Sequence, residues 1–510
     1  MIQTVVTWSL ALILGFVMFL VLRELVCYAK LKYYSSQGIP TSYYPLAGFF
    51  WLLTMEKGSK DQLTKLKRKI AENKSQKCFA TNISMYTEPN LVLLDDDLIR
   101  EFFNKEFDNT IKFLHIENIN RGFSLLNGEE ALNARSIYSK FFNHVNLVNI
   151  AGRIDKTIGR ALDEFEAAKF TGQSLEVHSK ELVTKAMCYL INCVVLGEDE
   201  KTFDASSDLS EFIVNYNFNM YSHGNSLANI LTLGYLHRYN LFPESKRLWN
   251  QLKWLENTIY DRYLKRKEGQ PQPDPNIIDC LVERNKELRE AGSPEIDKSQ
   301  IAGHWFLFQL AGIDTTMHLV VYALQLLAVR EDLQNTLRSA IDNIVKSKNG
   351  QPMSYEDFSE NEVLENFSNE LLRVGSPAAV LNLRRAMKDF TIGDIRVRKG
   401  TSILVPVGVN MNSDRFYKDP DTFDINRLNK SALKETKKAG FMPFGMGRRT
   451  CPGRSVGEMM LKILLVKILS RYTIKPSSSS DDSKVFAIVY GYRNPKVVLE
   501  KRDKRVEASH

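Results

Sequence analysis

The run Trp305–Val329 constrains this chain more than any other segment. As a helix rising about 1.5 Å per residue, it is long enough to cross a bilayer. It carries Gln309, Asp314, Thr315, Thr316, His318 and Gln325, however. An aspartate at a bilayer centre costs roughly 3 kcal/mol on insertion scales. A helix that is apolar nearly all round, with a few polar breaks, belongs at the centre of a large folded domain. A chain of 510 residues can build a core big enough to surround it.

The rest of the pattern agrees with that placement. Helical periodicity dominates residues 51–505, and no composition break divides them. Short strand-like runs occur at Asn90–Leu94, Ser402–Val407 and Val485–Tyr490. GQPQPDP at 269–275 reads as a surface loop and SSSSDDS at 477–483 as a polar turn. The expected fold is mainly α, with small β-sheets (α+β).

A second apolar run, Thr4–Leu22, has 19 residues and no charge. As a helix it spans roughly 28 Å, about one hydrocarbon core. Arg23, Lys30 and Lys32 follow it and no basic residue precedes it. The positive-inside rule then leaves the rest of the chain in the cytosol. A cleaved signal peptide is the competing reading. The absence of a basic leading region and of an A-x-A site argues against it. The expected organisation is an anchor at 1–28, a turn-rich linker at 29–50 and one folded domain at 51–505.

The net charge of +8 is mild for this length, and no basic patch with interleaved aromatics stands out, so nucleic-acid binding is not expected. Six cysteines, at 27, 78, 188, 193, 280 and 451, form no CxxC and suit neither a zinc site nor a disulfide framework. A reducing compartment fits them best.

One cysteine has unusual company, in FMPFGMGRRTCPGRS at 441–455. Gly445 and Gly447 let the backbone turn tightly. Pro452 and Gly453 open an apolar-periodic segment, Val456–Leu469, expected to be helical. Cys451 would stand at a helix N-terminus beside Arg448 and Arg449, where an anion is stabilised and the thiol pKa is expected to fall. A thiolate is the form that binds a metal. An unreactive buried cysteine beside a basic turn is the alternative.

Phe444, Gly447, Arg449, Cys451 and Gly453 spell F-x-x-G-x-R-x-C-x-G. This resembles the haem-binding signature of the cytochrome P450 family of haem-thiolate monooxygenases. Four further segments match in order. AGIDTT at 311–316 resembles the oxygen-activation motif, and Glu370 with Arg373 resembles the E-x-x-R pair. Pro420–Arg427 resembles P-x-x-F-x-P-x-R, and Gly128–Arg135 resembles the helix that carries W-x-x-x-R. The resemblance covers essentially the whole chain and fits the membrane-anchored microsomal type. Four positions depart from the pattern. Ala131 replaces the tryptophan, which removes one expected hydrogen bond to a haem propionate. Ile425 and Asn426 replace the usual proline and acid, and Ser376-Pro377 the doubled proline.

The resemblance implies haem b (iron protoporphyrin IX) with Cys451 as axial ligand, since a thiolate ligand favours O–O cleavage. It implies Arg449, Arg135 and Arg384 as propionate partners, with Arg385 competing for the last role. Asp314 and Thr315 would deliver protons, with space for dioxygen left beside Gly312. The alternative for Thr315 is a hydroxyl bonded back to a carbonyl one turn earlier. Arg427 would join Glu370 and Arg373 behind the cysteine loop. O2 and NADPH are the implied co-substrates, with electrons passed by a separate flavoprotein reductase. Lys430, Lys434, Lys437 and Lys438 are its candidate docking face. The segments 112–127, 212–242, Val374–Leu383 and Val485–Tyr490 occupy pocket positions and are largely apolar, which suits a lipophilic small molecule. His304 and His318 read as core or pocket-edge residues. The implied location is the endoplasmic reticulum membrane, single-pass, with the catalytic domain cytosolic. A non-oxygenase haem-thiolate enzyme and a non-enzymatic membrane haem-binding protein stay open.

Overall fold

The long apolar run is helical from Lys298 to Val329. The computed structural model describes residues 2–44, 68, 70–73, 75–82, 88–112, 122–123, 126–192, 243–269, 276–348, 350–378, 382–437, 440–486 and 490–502. The candidate pocket segment 212–242, most of 112–127 and most of the loop at 269–275 lie outside the described residues.

Asp297 caps the central helix. Its side chain accepts from the Gln300 amide at 2.9 Å, while the Gln300 side chain accepts from the Asp297 amide at 3.2 Å. This reciprocal pair satisfies two of the helix's otherwise unpaired N–H groups. Trp305, Val320 and Leu324 are fully buried. The helix packs against Ser179–Ile191, Pro243–Glu268 and Arg454–Arg471, so the run is the core helix that its polar breaks imply.

A six-stranded mixed sheet stands beside the helical body. Its order is Thr41–Ser42, Cys78–Thr81, Asn90–Leu93, Ser402–Val405, Asn382–Ala386 and Thr110–Lys112. Ser402–Val405 is buried on both faces, which suits a central strand. The last two strands pair antiparallel, with Lys112 opposite Arg384. A three-stranded sheet joins Tyr472–Pro476, Lys496–Lys501 and Ser174–His178.

Two local expectations change. Val485–Tyr490 is not one strand: Val485 and Phe486 end the strand Asp481–Phe486 and Tyr490 opens Tyr490–Asn494, two arms of a hairpin. The polar turn at 477–483 is shorter than expected, because Asp481 already pairs with Asn494.

The N-terminal helix runs from Ile2 to Ser35, past the expected boundary at 28. Cys27 is buried, Leu31 and Tyr34 are buried against the sheet, and the Tyr34 hydroxyl meets Thr401 Oγ1 at 2.6 Å. Glu24 accepts from the Tyr43 hydroxyl, and Lys30 pairs with Glu88. Residues 29–35 are therefore helix and not linker, because one face of that helix contributes to the sheet's core. Further towards the N-terminus, Phe16, Met18, Phe19 and Leu22 are exposed.

Candidate active site

A buried ion-pair cluster braces the chain behind the cysteine loop. Glu370 and Arg373 lie on the helix Glu362–Val374, three residues apart and on one face. Arg373 donates twice to Glu370, each at 2.8 Å, and both side chains are fully buried. Arg427 Nε donates to Glu370 Oε1 at 3.2 Å. Arg373 Nη1 also donates to the carbonyls of Met411 and Pro420, at 2.9 and 2.8 Å. One guanidinium thus ties the helix to the segment leading into the loop. Replacement of the usual proline by Ile425 leaves Arg427 in the cluster.

The loop turns at Gly445 and Gly447, whose φ angles of +74° and +69° are left-handed. These angles favour glycine. A Cβ on Gly447 would also stand 3.2 Å from the Phe103 carbonyl oxygen. The Cys451 amide donates back to the Phe444 carbonyl at 2.9 Å, closing the loop. The helix Arg454–Arg471 begins just beyond, as the apolar periodicity indicates. Phe444 is half-buried, with the Arg454 guanidinium 5.6 Å from its ring centroid. Gly453 leaves its missing side-chain position 4.0 Å from Cys451 Sγ.

The expected fall in the Cys451 thiol pKa is reversed. Burial pushes it up, ahead of the lowering effects of a hydrogen bond from the Gly453 amide and of the Arg135 and Lys112 charges. A helix terminus and nearby cations do not offset desolvation of a thiolate here. Coordination to a metal would remove that proton outright. Cys451 nevertheless keeps accessible surface. Ala311, midway along the otherwise buried central helix, is likewise exposed.

Four cations gather beside this loop. Arg449 donates from Nη2 to the Leu126 carbonyl at 2.8 Å. Arg384 donates to Thr110 Oγ1 at 2.9 Å and to the Thr110 carbonyl at 2.7 Å, while its guanidinium lies 4.1 Å from the Phe107 ring centroid. Arg135 comes from the helix Gly128–Ile137. The fourth, Lys112, has its backbone amide bonded to Asn127 Oδ1 at 2.8 Å, just ahead of that helix. Burial, then Arg449 and Arg384, push the Lys112 ammonium down to about 8. Burial, then Arg449, push Arg384 down to about 9. Burial, then Arg135, lower Arg449.

Among the described residues no carboxylate forms an ion pair with any of the four; Asp108, the acid that influences Arg384 and Arg449, is paired with Arg448 at 3.0 Å. Arg384 Nη1 is buried without a partner among the described residues. Mutually repelling cations and an orphaned donor are costly unless an anion joins them. A haem carries two carboxylates and an iron that binds thiolate, so the donor set fits it. Arg384, one of the two competing arginines, feels the Arg449 charge. Lys112 belongs to no motif in the sequence. Its strand register opposite Arg384 brings it in.

On the central helix, Thr315 Oγ1 donates to the Ala311 carbonyl at 2.5 Å. This is the bond back along the helix, made by a half-buried hydroxyl. Asp314 is buried, with its Oδ1 3.3 Å from His318 Nδ1. Lys180, whose pKa burial lowers, is drawn up by the Asp314 charge. The space expected beside Gly312 is filled, since a Cβ there would meet Ile191 Cδ1 at 2.7 Å. Gly312 serves helix–helix approach. His304 is a core histidine, its ring 6.1 Å from that of Phe123. A surface cleft between Pro243–Glu268 and the first turns of the central helix, lined by Trp249, Leu252, Ala302 and Phe306, contains none of these site residues.

Comparison with known proteins agrees with this geometry. The Cytochrome P450 family profile matches residues 43–496. Cytochrome P450 6B1 of Papilio polyxenes is 25% identical over 431 residues, covering 79% of this chain and 83% of that protein. Cytochrome P450 6B6 of Helicoverpa armigera is 25% identical over 78% of this chain and 79% of its own length. Cytochrome P450 6j1 of Blattella germanica is 25% identical over 77% and 78% respectively. With a cysteine on a braced loop, a cationic cradle beside it and a family match along most of its length, the chain belongs to the cytochrome P450 family of haem-thiolate monooxygenases.

Proposed function

We propose that this protein is a membrane-anchored monooxygenase that places one atom of O2 into a lipophilic small molecule, with electrons from NADPH through a separate flavoprotein reductase. The observation that carries the reading is the Cys451 loop beside an anion-seeking cluster of Arg135, Arg384, Arg449 and Lys112.

When bound, haem b would supply dioxygen activation. Cys451 would hold its iron. Arg449, Arg135 and Arg384 would hold its carboxylates, since guanidinium groups bind them with charge-assisted hydrogen bonds. Phe444, Gly447 and Gly453 shape the loop around the sulfur. The Thr315 hydroxyl orders a water next to the helix, and Asp314, flanked by His318 and Lys180, passes protons inward. The exposed apolar face of the N-terminal helix suits a bilayer and supports an endoplasmic reticulum anchor with a cytosolic catalytic domain. Lys430 and Lys434, on the short helix Lys430–Glu435 with no buried residue, and Lys437 suit docking of an acidic reductase. Lys438 lies outside the described residues.

The test is reconstitution with a reductase, NADPH and a panel of lipophilic compounds under 18O-labelled O2. One labelled oxygen in the product is the expected result. Turnover of a hydroperoxide without reductase, by a protein that never uses O2, would establish the non-oxygenase alternative. Haem binding with no turnover of either kind would leave a haem-binding protein.

A further inference from the structure

We infer that Lys112 is a haem-carboxylate partner in this chain, donating the hydrogen bond that Ala131, standing in place of the usual tryptophan, cannot make. The inference rests on the haem-binding reading above and extends it to a residue outside every motif.

Three observations converge. Strand Thr110–Lys112 pairs antiparallel with Asn382–Ala386, so Lys112 stands opposite Arg384 on neighbouring strands. The Lys112 amide is held by Asn127, the residue that precedes the helix carrying both Ala131 and Arg135. The Arg449 guanidinium is bonded to Leu126, one residue earlier. Backbone pairing and two short hydrogen bonds thus bring Lys112 to the point where the cysteine loop, the Arg135 helix and the sheet edge meet. Ala131 itself is fully buried and has no polar side-chain atom to offer.

The charged groups that act on this ammonium are two arginines and the Cys451 sulfur. Arg449 and Arg384 both act on it unfavourably, and among the described residues no carboxylate pairs with it. Lys112 is half-buried, and partial removal of an unpaired ammonium from water costs energy, so the arrangement makes physical sense when a carboxylate completes it. An indole offers a carboxylate one hydrogen bond from a neutral donor. An ammonium offers one from a cation, so that both partners are charged. The exchange of tryptophan for a lysine on another element therefore preserves the anchoring of an anionic group without preserving the motif.

The test is haem loss from the full-length holoprotein to excess apomyoglobin, followed optically, for wild type, Lys112→Met, Lys112→Arg and the surface control Lys105→Met. Removal of one charged hydrogen bond predicts about tenfold faster release from Lys112→Met. Lys112→Arg and Lys105→Met should release haem at close to the wild-type rate. A second arm separates a direct bond from an effect on the fold: the same proteins are reconstituted with protohaem dimethyl ester, which lacks the carboxylate charges. If Lys112 binds a carboxylate, the difference between wild type and Lys112→Met should collapse with the ester. Equal release of ordinary haem from wild type and Lys112→Met overturns the inference, as does a difference that persists with the ester. Failure of the wild-type protein to bind haem at all would refute the haem reading itself, a distinct outcome.

Discussion

The Thr315 hydroxyl and the His304 ring lie on one helix yet answer to different forces. Thr315 is half-buried and spends its proton on the Ala311 carbonyl, which leaves its oxygen lone pairs to receive a donor. Thr315→Ala removes that acceptor and keeps a strong helix former. Haem binding and reduction should survive. NADPH should still be consumed, with more of it ending as hydrogen peroxide and less as product. General acid–base assistance is typically worth ~10²–10⁴ in rate, and an intruding water can restore part of it. The ratio of product to NADPH in the reconstituted system measures the effect; an unchanged ratio removes Thr315 from the proton route.

His304 is buried among Phe123, Tyr138 and Phe308, and desolvation alone pulls its pKa from 6.5 to about 4. The unfolded chain therefore binds a proton between pH 6.5 and 4 that the folded protein refuses. Stability rises with pH where the unfolded state holds more protons. The contribution is accordingly intact above pH 6.5 and lost as pH falls towards 4, by up to about 3 kcal/mol. Urea midpoints measured across this window should fall more steeply for wild type than for His304→Leu, which cannot titrate. Parallel slopes would show that His304 is hydrated in the folded protein.

At the scale of elements, the crossing of the central helix with Ser179–Ile191 depends on Gly312. Its missing Cβ lies 2.7 Å from Ile191 Cδ1, the mobile end of a flexible side chain. Gly312→Ala should be nearly neutral, because Ile191 can rotate away and helix propensity improves. Gly312→Leu overpacks the crossing and should cost about 1–3 kcal/mol. Ile191→Ala should recover much of that stability in the double mutant, since residues that touch couple. Additive effects would place the strain elsewhere. The helices were legible in the sequence because 3.6-residue periodicity is local. The hairpin at 481–494 was not, since an apolar run across Val485–Tyr490 reads alike whether the chain continues or turns back. The Gly312 pairing was also hidden, because a glycine in a helix reads as an open space until its neighbour is known.

At the scale of the molecule, the N-terminal helix divides between two environments. Its first part exposes Phe16, Met18, Phe19 and Leu22; its last part buries Cys27 and places Leu31 and Tyr34 in the core beside the sheet. A deletion ending at Leu22 should leave thermal stability and haem content unchanged while weakening membrane association. A deletion through Ser35 should cost at least about 3 kcal/mol, from two large buried side chains and the Tyr34–Thr401 bond. A cut at 28 falls inside the buried part and should give an intermediate destabilisation. Thermal melts and membrane flotation of the three proteins would separate anchor from core, and equal melts would mean that the last turns contribute nothing to the fold.

The sequence by itself determined what depends on spacing along the chain. The central helix, the glycine-turned loop around Cys451, the Glu370–Arg373 pair and the family all follow from intervals of a few residues, where local geometry leaves little choice. Tertiary structure alone decided what depends on which distant segments meet. It brought Lys112 opposite Arg384, whose guanidinium bonds to Thr110, 274 positions away in sequence. It set Ile191 into the gap at Gly312, and it raised the Cys451 thiol where the helix terminus and nearby arginines pointed downward. Burial is the reason in the last case: desolvation sums over every neighbour in space, and a linear motif records only neighbours in sequence.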